Sequence, residues 1–397
     1  MTYRHLNEKD CIEYAVDKKL FKGNNIICEE IGDGNINYVY RLSQGDESYI
    51  FKQSDELLRS SQRPLSQNRA DVEAFMLNFY NRIVPEFSPK LYFYDKNLKL
   101  IVMEDLKEYK NLRKELMEGK SIKGLSENLA LFCVKSLMQT TSFFMESRKK
   151  RRLQGVFINE EMCEITEDLV LTEPFNDYKK RNKITEGLED FVEKNIYNDR
   201  NLRLKASILK DKFINQKQCL IHGDLHSGSI FVKDGKLKII DPEFATFAPM
   251  GYDLGNVLGN LFFSLAYSEI VLCDDENSQQ LKYEIVKFIK SLAKNLNKYL
   301  RKKIKDPMFK DLHYINRTIS CIIRDMYSYC GTEILRRTIG ESKVLELSSI
   351  KDLSIRLSMD KKLINFSKNL IIAPESISSQ NIVQVYELWD SNLNLKY

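Results

Sequence analysis

An α+β fold of two lobes is predicted by three features of the 397-residue sequence. The first hundred residues read as short strands separated by turn signals and interrupted by one amphipathic helix. Beyond Glu104 the apolar spacing becomes helical over long stretches. Inside that helical part sits a single strand hairpin, so strands and helices are segregated and do not alternate. The expected division is a β-rich N-terminal lobe of residues 1–106, ending in a hinge, and a helical C-terminal lobe of residues 107–397.

Strands are expected at Ile26 to Glu30, Tyr38 to Leu42 and, after a Gln44-Gly45-Asp46 turn, Tyr49 to Lys52. Val72, Phe75, Met76, Phe79 and Ile83 then form a helical stripe that Pro85 ends. Lys90 to Tyr94 and Leu98 to Met103 flank a turn at Asp95-Lys96-Asn97. Long helical segments follow around Ser126 to Arg148, Glu186 to Tyr197, Leu202 to Asn215, Leu281 to Tyr299 and Asn316 to Thr338. The hairpin runs from Ile230 to Val232, turns at Lys233-Asp234-Gly235-Lys236 and returns from Leu237 to Ile240. No internal repeat or low-complexity tract is present.

Sixty-one Lys and Arg against 56 Asp and Glu leave a formal charge of +5, too small to mark a nucleic-acid binder. The apolar content of 43% with 16 Gly and 8 Pro excludes a disordered or collagen-like chain. MTYRHLNEKD leads into no apolar run, so no secretory signal is expected. Val257 to Leu272 is broken by Gly259, Asn260, Ser264 and Glu269 and falls short of a membrane span. The eight cysteines contain no C-x-x-C pair, which fits reduced thiols in a cytoplasmic protein. The five basic residues Arg148 to Arg152 read as the solvated C-terminus of a helix, favoured by the macrodipole, in preference to an RNA or membrane patch.

The strongest chemical signal is His222-Gly223-Asp224-Leu225-His226, followed after the hairpin by Asp241-Pro242-Glu243. An Asp on a loop after an apolar run, with a second at the end of a hairpin, is how phosphoryl-transfer sites set a hydroxyl-orienting carboxylate near a metal-binding one. Asp224 would take the first role, and Asp241 with Glu243 would offer hard oxygen ligands to Mg²⁺. A lone loop Asp is more simply a turn or a helix cap; the pair with the intervening hairpin argues against that. His222 and His226 stand four apart, but the Gly between them and Ser227-Gly228-Ser229 beyond disfavour a zinc-binding helix. A role in fixing the loop suits them better.

Between the first two strands, Gly32, Gly34 and Asn35 lie in a turn whose N–H groups would suit phosphates, though such a sequence is also ordinary hairpin chemistry. Lys52 on the next strand and Glu73 on the following helix complete a possible ion pair holding the lysine toward the α- and β-phosphates. Singly each is a surface charge. Their order ahead of the hinge, the His-Gly-Asp loop and Asp-Pro-Glu raises all three together.

This succession resembles the protein-kinase-like phosphotransferases of small molecules, among them the aminoglycoside and choline kinases, and within them most the methylthioribose kinases. The segments that carry the resemblance are Glu30 to Asn37, Pro64 to Ala74, Val102 to Leu106, Cys163 to Phe175, His222 to Ile230 and Asp241 to Ala245. Two departures from the broad kinase pattern point the same way. Ser229 stands where an Asn usually binds a second metal, and Asp241-Pro242-Glu243 replaces Asp-Phe-Gly, so Glu243 can return the oxygen that Ser229 supplies less well.

The resemblance implies an ATP- and Mg²⁺-dependent kinase that phosphorylates the 1-hydroxyl of 5-methylthioribose in methionine salvage, as a cytoplasmic homodimer. It implies that backbone atoms of Met103, Glu104, Asp105 and Leu106 meet adenine and that Arg336 and Arg337 form the tandem arginine pair of the substrate site. Since adjacent helical residues point about 100° apart, one arginine would serve the substrate and the other a structural carboxylate. A solvated basic helix end is the plainer alternative. Asp253 is expected to brace the catalytic loop, and no substrate contact is assigned to the single tryptophan, Trp389. A kinase of an aminoglycoside, choline or homoserine, or a nucleotide-binding scaffold without catalysis, are the competing readings.

Overall fold

A computed structural model of the chain describes residues 3–23, 25–31, 37–55, 65–304 and 306–388. Gly32, Gly34, Asn35 and Trp389 lie outside these described residues. Helix α1 (Glu8–Asp17) begins with a capping box, in which Asn7 and Asp10 each accept the other's backbone N–H. Strands β1 (Ile27–Glu30), β2 (Asn37–Gln44) and β3 (Glu47–Ser54) follow, then helix α2 (Asn68–Ile83), β4 (Leu91–Asp95) and β5 (Leu100–Glu104). They form one antiparallel sheet in the order β1-β2-β3-β5-β4.

Side chains alternate across a strand, so β3 serves two cores. Phe51 packs with Tyr40, Leu42, Leu100 and Val102 in a cluster shared with Cys11 and Ala15 of α1. Ile50 packs on the opposite face with Ile101, Met103 and with Ala74 and Leu77 of α2. Lys52, two residues on from Ile50, shares the face that α2 covers. The register alone therefore brings it to Glu73.

The α2 stripe differs from expectation in one member. Val72, Met76 and Tyr80 pack into the main core of the helical lobe, while Ala74 and Leu77 face the sheet. A helix wedged between two cores buries two faces, and Phe75 falls on the remaining one, 43% exposed.

The helical lobe contains β6 (Lys110–Asn111), β7 (Cys219–Ile221), the predicted hairpin as β8 (Ile230–Lys233) and β9 (Lys236–Ile239), and β10 (Thr246–Ala248). The strand β6 joins the hairpin through β8, and β10 pairs with β7. The helix Met250–Tyr267 lies against the helix Leu312–Ile339. Their backbones come close because a Cβ on Gly251 would sit 2.4 Å from Asp325 Cβ, and one on Gly255 would sit 2.5 Å from Cys330 N. This contact sets Glu333, and with it Arg336 and Arg337, beside the loop after β7.

The segment expected as one helix from Ser126 to Arg148 is two, Leu125–Met138 and Ser147–Val156. The basic run therefore occupies the first turns of the second helix, where the macrodipole disfavours cations, and the helix-end explanation fails. Lys150 instead turns inward, donating to Gln218 O at 2.8 Å and Ser142 Oγ at 3.1 Å. No disulfide joins the eight cysteines. No helix of the described residues is long and apolar enough to cross a membrane.

Candidate active site

The loop after β7 is held by its own residues and by one carboxylate. Asp253, buried in the first turn of the helix Met250–Tyr267, accepts the backbone N–H of His222 at 2.6 Å and of Gly223 at 2.9 Å. That is the bracing role expected of it. Gly223 has φ +88°, and a Cβ there would lie 2.2 Å from Phe244 O, so both conformation and space demand glycine. His222 accepts the N–H of Asp224 on Nδ1 at 3.3 Å and its Nε2 lies 2.9 Å from Ile240 O. The tautomer with its proton on Nε2 satisfies both contacts. One buried imidazole thus laces the loop of Asp224 to the residue preceding Asp241. This is the loop fixation expected of His222.

Asp224 projects into a cluster of cations. Oδ1 accepts from Arg336 Nη2 at 2.9 Å and from Arg337 Nη2 at 3.2 Å, and Oδ2 lies 3.4 Å from His226 Nε2. Burial would raise this carboxyl, but His226 and the guanidiniums of Arg337 and Arg336 outweigh it and hold the group well below the usual carboxylate range. Burial lowers the His226 imidazole. Both arginines are anchored behind by Glu333, Arg337 Nε at 3.1 Å and Arg336 Nε in a short contact. The plainer alternative, a solvated basic helix end, fails because their side chains are only 12% and 11% exposed. The expected division of labour also differs: each arginine reaches both the structural carboxylate and Asp224. Long forked side chains overcome the 100° between their Cα–Cβ directions.

Lys52 Nζ lies 2.8 Å from Glu73 Oε1 and 2.6 Å from Asp241 Oδ1. Burial alone would lower the lysine, but Asp241, Glu73 and Glu243 more than offset it, and the ammonium is retained. Asp241 holds a left-handed backbone, φ 60° and ψ 47°, an uncommon conformation for a non-glycine residue that the surrounding loop enforces. Glu243 is nearly buried; Oε2 lies 3.5 Å from Arg69 Nε and 3.4 Å from Asn37 Nδ2. At the hinge, Glu104 ends the paired region of β5, opposite Tyr49, and its N–H donates to Lys90 O at 2.8 Å. Asp105 receives Arg41 on both oxygens, at 2.8 and 3.2 Å. Backbone groups of Asp105 and Leu106 follow directly. A cavity of about 660 Å³ lined by Phe175, Arg203, Lys210 and Ile214 contains none of these residues, and the cluster around Asp224 identifies the site better than that cavity does.

Two contributors carried no assigned role in the sequence, and a third was expected only to fix its loop. Arg69 stands four before Glu73, a spacing that reads as a surface pair, yet it is buried and bridges Asn37, Asp55 and the neighbourhood of Glu243. Glu333 is one helical turn before the arginines, the only local hint of its function. His226, expected only to fix the loop, also lies against the Asp224 carboxylate, which its position in the loop did not reveal.

The model of the phosphotransferase enzyme family, APH, matches residues 164–271, which include the loop, the hairpin and Asp241. A choline kinase of Cryptosporidium parvum Iowa II superposes with a TM-score of 0.52 at 13% identity, covering 97% of this chain and 100% of that one, a likeness of fold. Methylthioribose kinases of Bacillus cereus (strain B4264) and Bacillus thuringiensis (strain Al Hakam) are each 35% identical over 374 residues, 94% of this chain and 93% of theirs. At that identity over nearly the whole length of both, the chain belongs to the methylthioribose kinase family of ATP-dependent small-molecule phosphotransferases.

Proposed function

We propose that the protein transfers the γ-phosphoryl group of ATP to the 1-hydroxyl of 5-methylthioribose, giving the 1-phosphate for methionine salvage. The observation that carries this reading is the fixed triangle of Asp224 with Arg336 and Arg337 beside the Lys52–Asp241 pair. The acceptor hydroxyl oxygen forms the new bond to the γ-phosphorus, the bond from phosphorus to the β-phosphate oxygen breaks, and the hydroxyl proton passes to an Asp224 oxygen.

A carboxylate held so far below its usual range is a weak base. That is tolerable, because phosphoryl transfer is largely dissociative and the hydroxyl needs alignment more than early deprotonation. The arginine pair contributes hydroxyl donors and positive charge where the transferred group arrives. Lys52, kept charged by Asp241, Glu73 and Glu243, steadies the nucleotide phosphates, and backbone groups of Met103 to Leu106 meet adenine. The lobes then divide at residue 106.

Mg²⁺ supplies charge neutralisation of the phosphates, and the donor set fits it modestly. Asp241 is 44% exposed at its side chain, with one oxygen on Lys52 and the other available. One or two carboxylates with phosphate oxygens and water suffice for this ion. Glu243 would be the second ligand, and would give up part of its contact with Arg69. The family reading also favours a cytoplasmic location and a homodimer, the latter tested by light scattering on the full chain.

The deciding experiment is ADP release across 5-methylthioribose, ribose, choline, homoserine and kanamycin. Preference for 5-methylthioribose is expected. Preference for choline, homoserine or kanamycin would overturn the acceptor assignment.

A further inference from the structure

Arg113 belongs to none of the roles above, yet its guanidinium is pinned beside them. It follows β6 on the short helix Leu112–Met117 and its side chain is 15% exposed. Nε donates to Ser227 Oγ at 3.1 Å and Nη2 to Asn260 Oδ1 at 3.0 Å. Asn260 in turn lies 3.5 Å from Glu333 Oε1, the carboxylate behind the arginine pair. Nη1 makes no hydrogen bond among the described residues. A methyl carbon placed on Gly228 would lie 2.9 Å from the His226 ring and 3.1 Å from Arg113 Nη1, so this free end and the imidazole flank one point. His226 itself touches Asp224.

Behind Arg113 lies Glu346, whose Oε2 is 3.4 Å from Nε. Its side chain is fully buried and neither oxygen has a hydrogen-bond partner. A buried acceptor without a donor is destabilising, and each such group needs an explanation. Here it faces the inner edge of a guanidinium that Ser227 and Asn260 hold in plane and whose outer end is left open; burial raises the Glu346 carboxyl and Arg113 opposes that rise. A fork held on two nitrogens with its third free is a preorganised donor. By formal count the local acids and bases match, Arg113, Arg336 and Arg337 against Asp224, Glu333 and Glu346. Such a site suits a neutral polyhydroxylated acceptor and offers no surplus of acid to an ammonium compound.

We propose that Arg113 is a substrate-binding residue whose Nη1 donates to a sugar hydroxyl other than the one phosphorylated, with Glu346 as its positioning residue. The proposal rests on the acceptor reading above and assigns the 2- or 3-hydroxyl of the sugar to Arg113.

Steady-state kinetics on the full chain test it, with 5-methylthioribose and its 2-deoxy and 3-deoxy analogues as acceptors. Arg113→Met and Arg113→Lys are expected to raise the KM for 5-methylthioribose roughly 10- to 100-fold, the worth of one charge-assisted hydrogen bond. The KM for ATP should stay within about twofold. One deoxy analogue should suffer the same penalty with the unaltered protein and no further penalty with Arg113→Lys. Sugar KM values unchanged in both variants, losses shared equally by ATP, or analogue and variant penalties that multiply would each overturn the proposal. If Arg113→Met shows no cooperative melt, Arg113→Lys and the analogue series decide. Failure of the acceptor reading would be seen separately, as poor turnover of 5-methylthioribose by the unaltered protein.

Discussion

Arg336 Nη2 stands 2.9 Å from Asp224 Oδ1, so the carboxylate proposed to receive the acceptor proton is already ion-paired before any acceptor arrives. A substrate hydroxyl must share this oxygen or displace a guanidinium from it. The arrangement keeps Asp224 ionised and fixes its orientation, while weakening it as a base.

Asp224→Asn is therefore expected to lower kcat by at least about 10²-fold, in the range of a lost general base. Nucleotide affinity, measured by fluorescence titration, should change less than threefold. Retained turnover would remove the mechanism.

Glu333→Gln should act through the arginines it anchors. Sugar KM is expected to rise and kcat to fall, because both guanidiniums lose the charge that sets their geometry against Asp224. Steady-state kinetics with ATP saturating distinguish this from a nucleotide effect, which should be absent.

Lys52→Met leaves Glu73 buried beside Asp241 with no cation between them. Removing one partner of a buried pair destabilises by roughly 3–5 kcal/mol, so a lower melting midpoint should accompany a raised KM for ATP. The double variant Lys52→Met with Glu73→Gln should recover part of the stability and none of the nucleotide affinity.

Gly223→Ala forces a side chain into a left-handed conformation and against Phe244 O. A loss of at least about 2 kcal/mol in urea unfolding is expected, together with reduced kcat from a displaced Asp224. A fully active, equally stable variant would show that the loop relaxes more easily than its hydrogen bonds imply.

Burial lowers Lys343 to about 7, opposed only in part by Asp360. Its folded value lies below that of an unfolded lysine, so the unfolded chain binds this proton more tightly, and stability should rise as pH climbs from about 7 toward roughly 10. Lys343→Met should be more stable than the unaltered protein at pH 7 and should flatten that rise, as read from urea midpoints at several pH values.

The parts of the site legible in the sequence are those whose geometry is local. Lys52 meets Glu73 because strand alternation and helix pitch leave little freedom, and His222-Gly223-Asp224 announces itself because only glycine fits its second position. What stayed hidden depends on chain segments meeting across the fold. The pairing of Arg69 with the region of Glu243, and the grip of Glu346 on Arg113, join segments remote in sequence. Phe75 misled because a one-faced stripe is the default for a helix, whereas α2 is covered on two sides. The basic run misled because the chain breaks after Met138 and starts afresh at Ser147.

That double covering of α2 bears on how the cleft opens. Val72, Met76 and Tyr80 tether the helix to one half of the molecule, while Ala74 and Leu77 tether it to the other. If the halves separate, one set of apolar contacts must slip, and Glu73 travels with whichever side wins. The partner of Lys52 is thus carried on an element answerable to both halves at once.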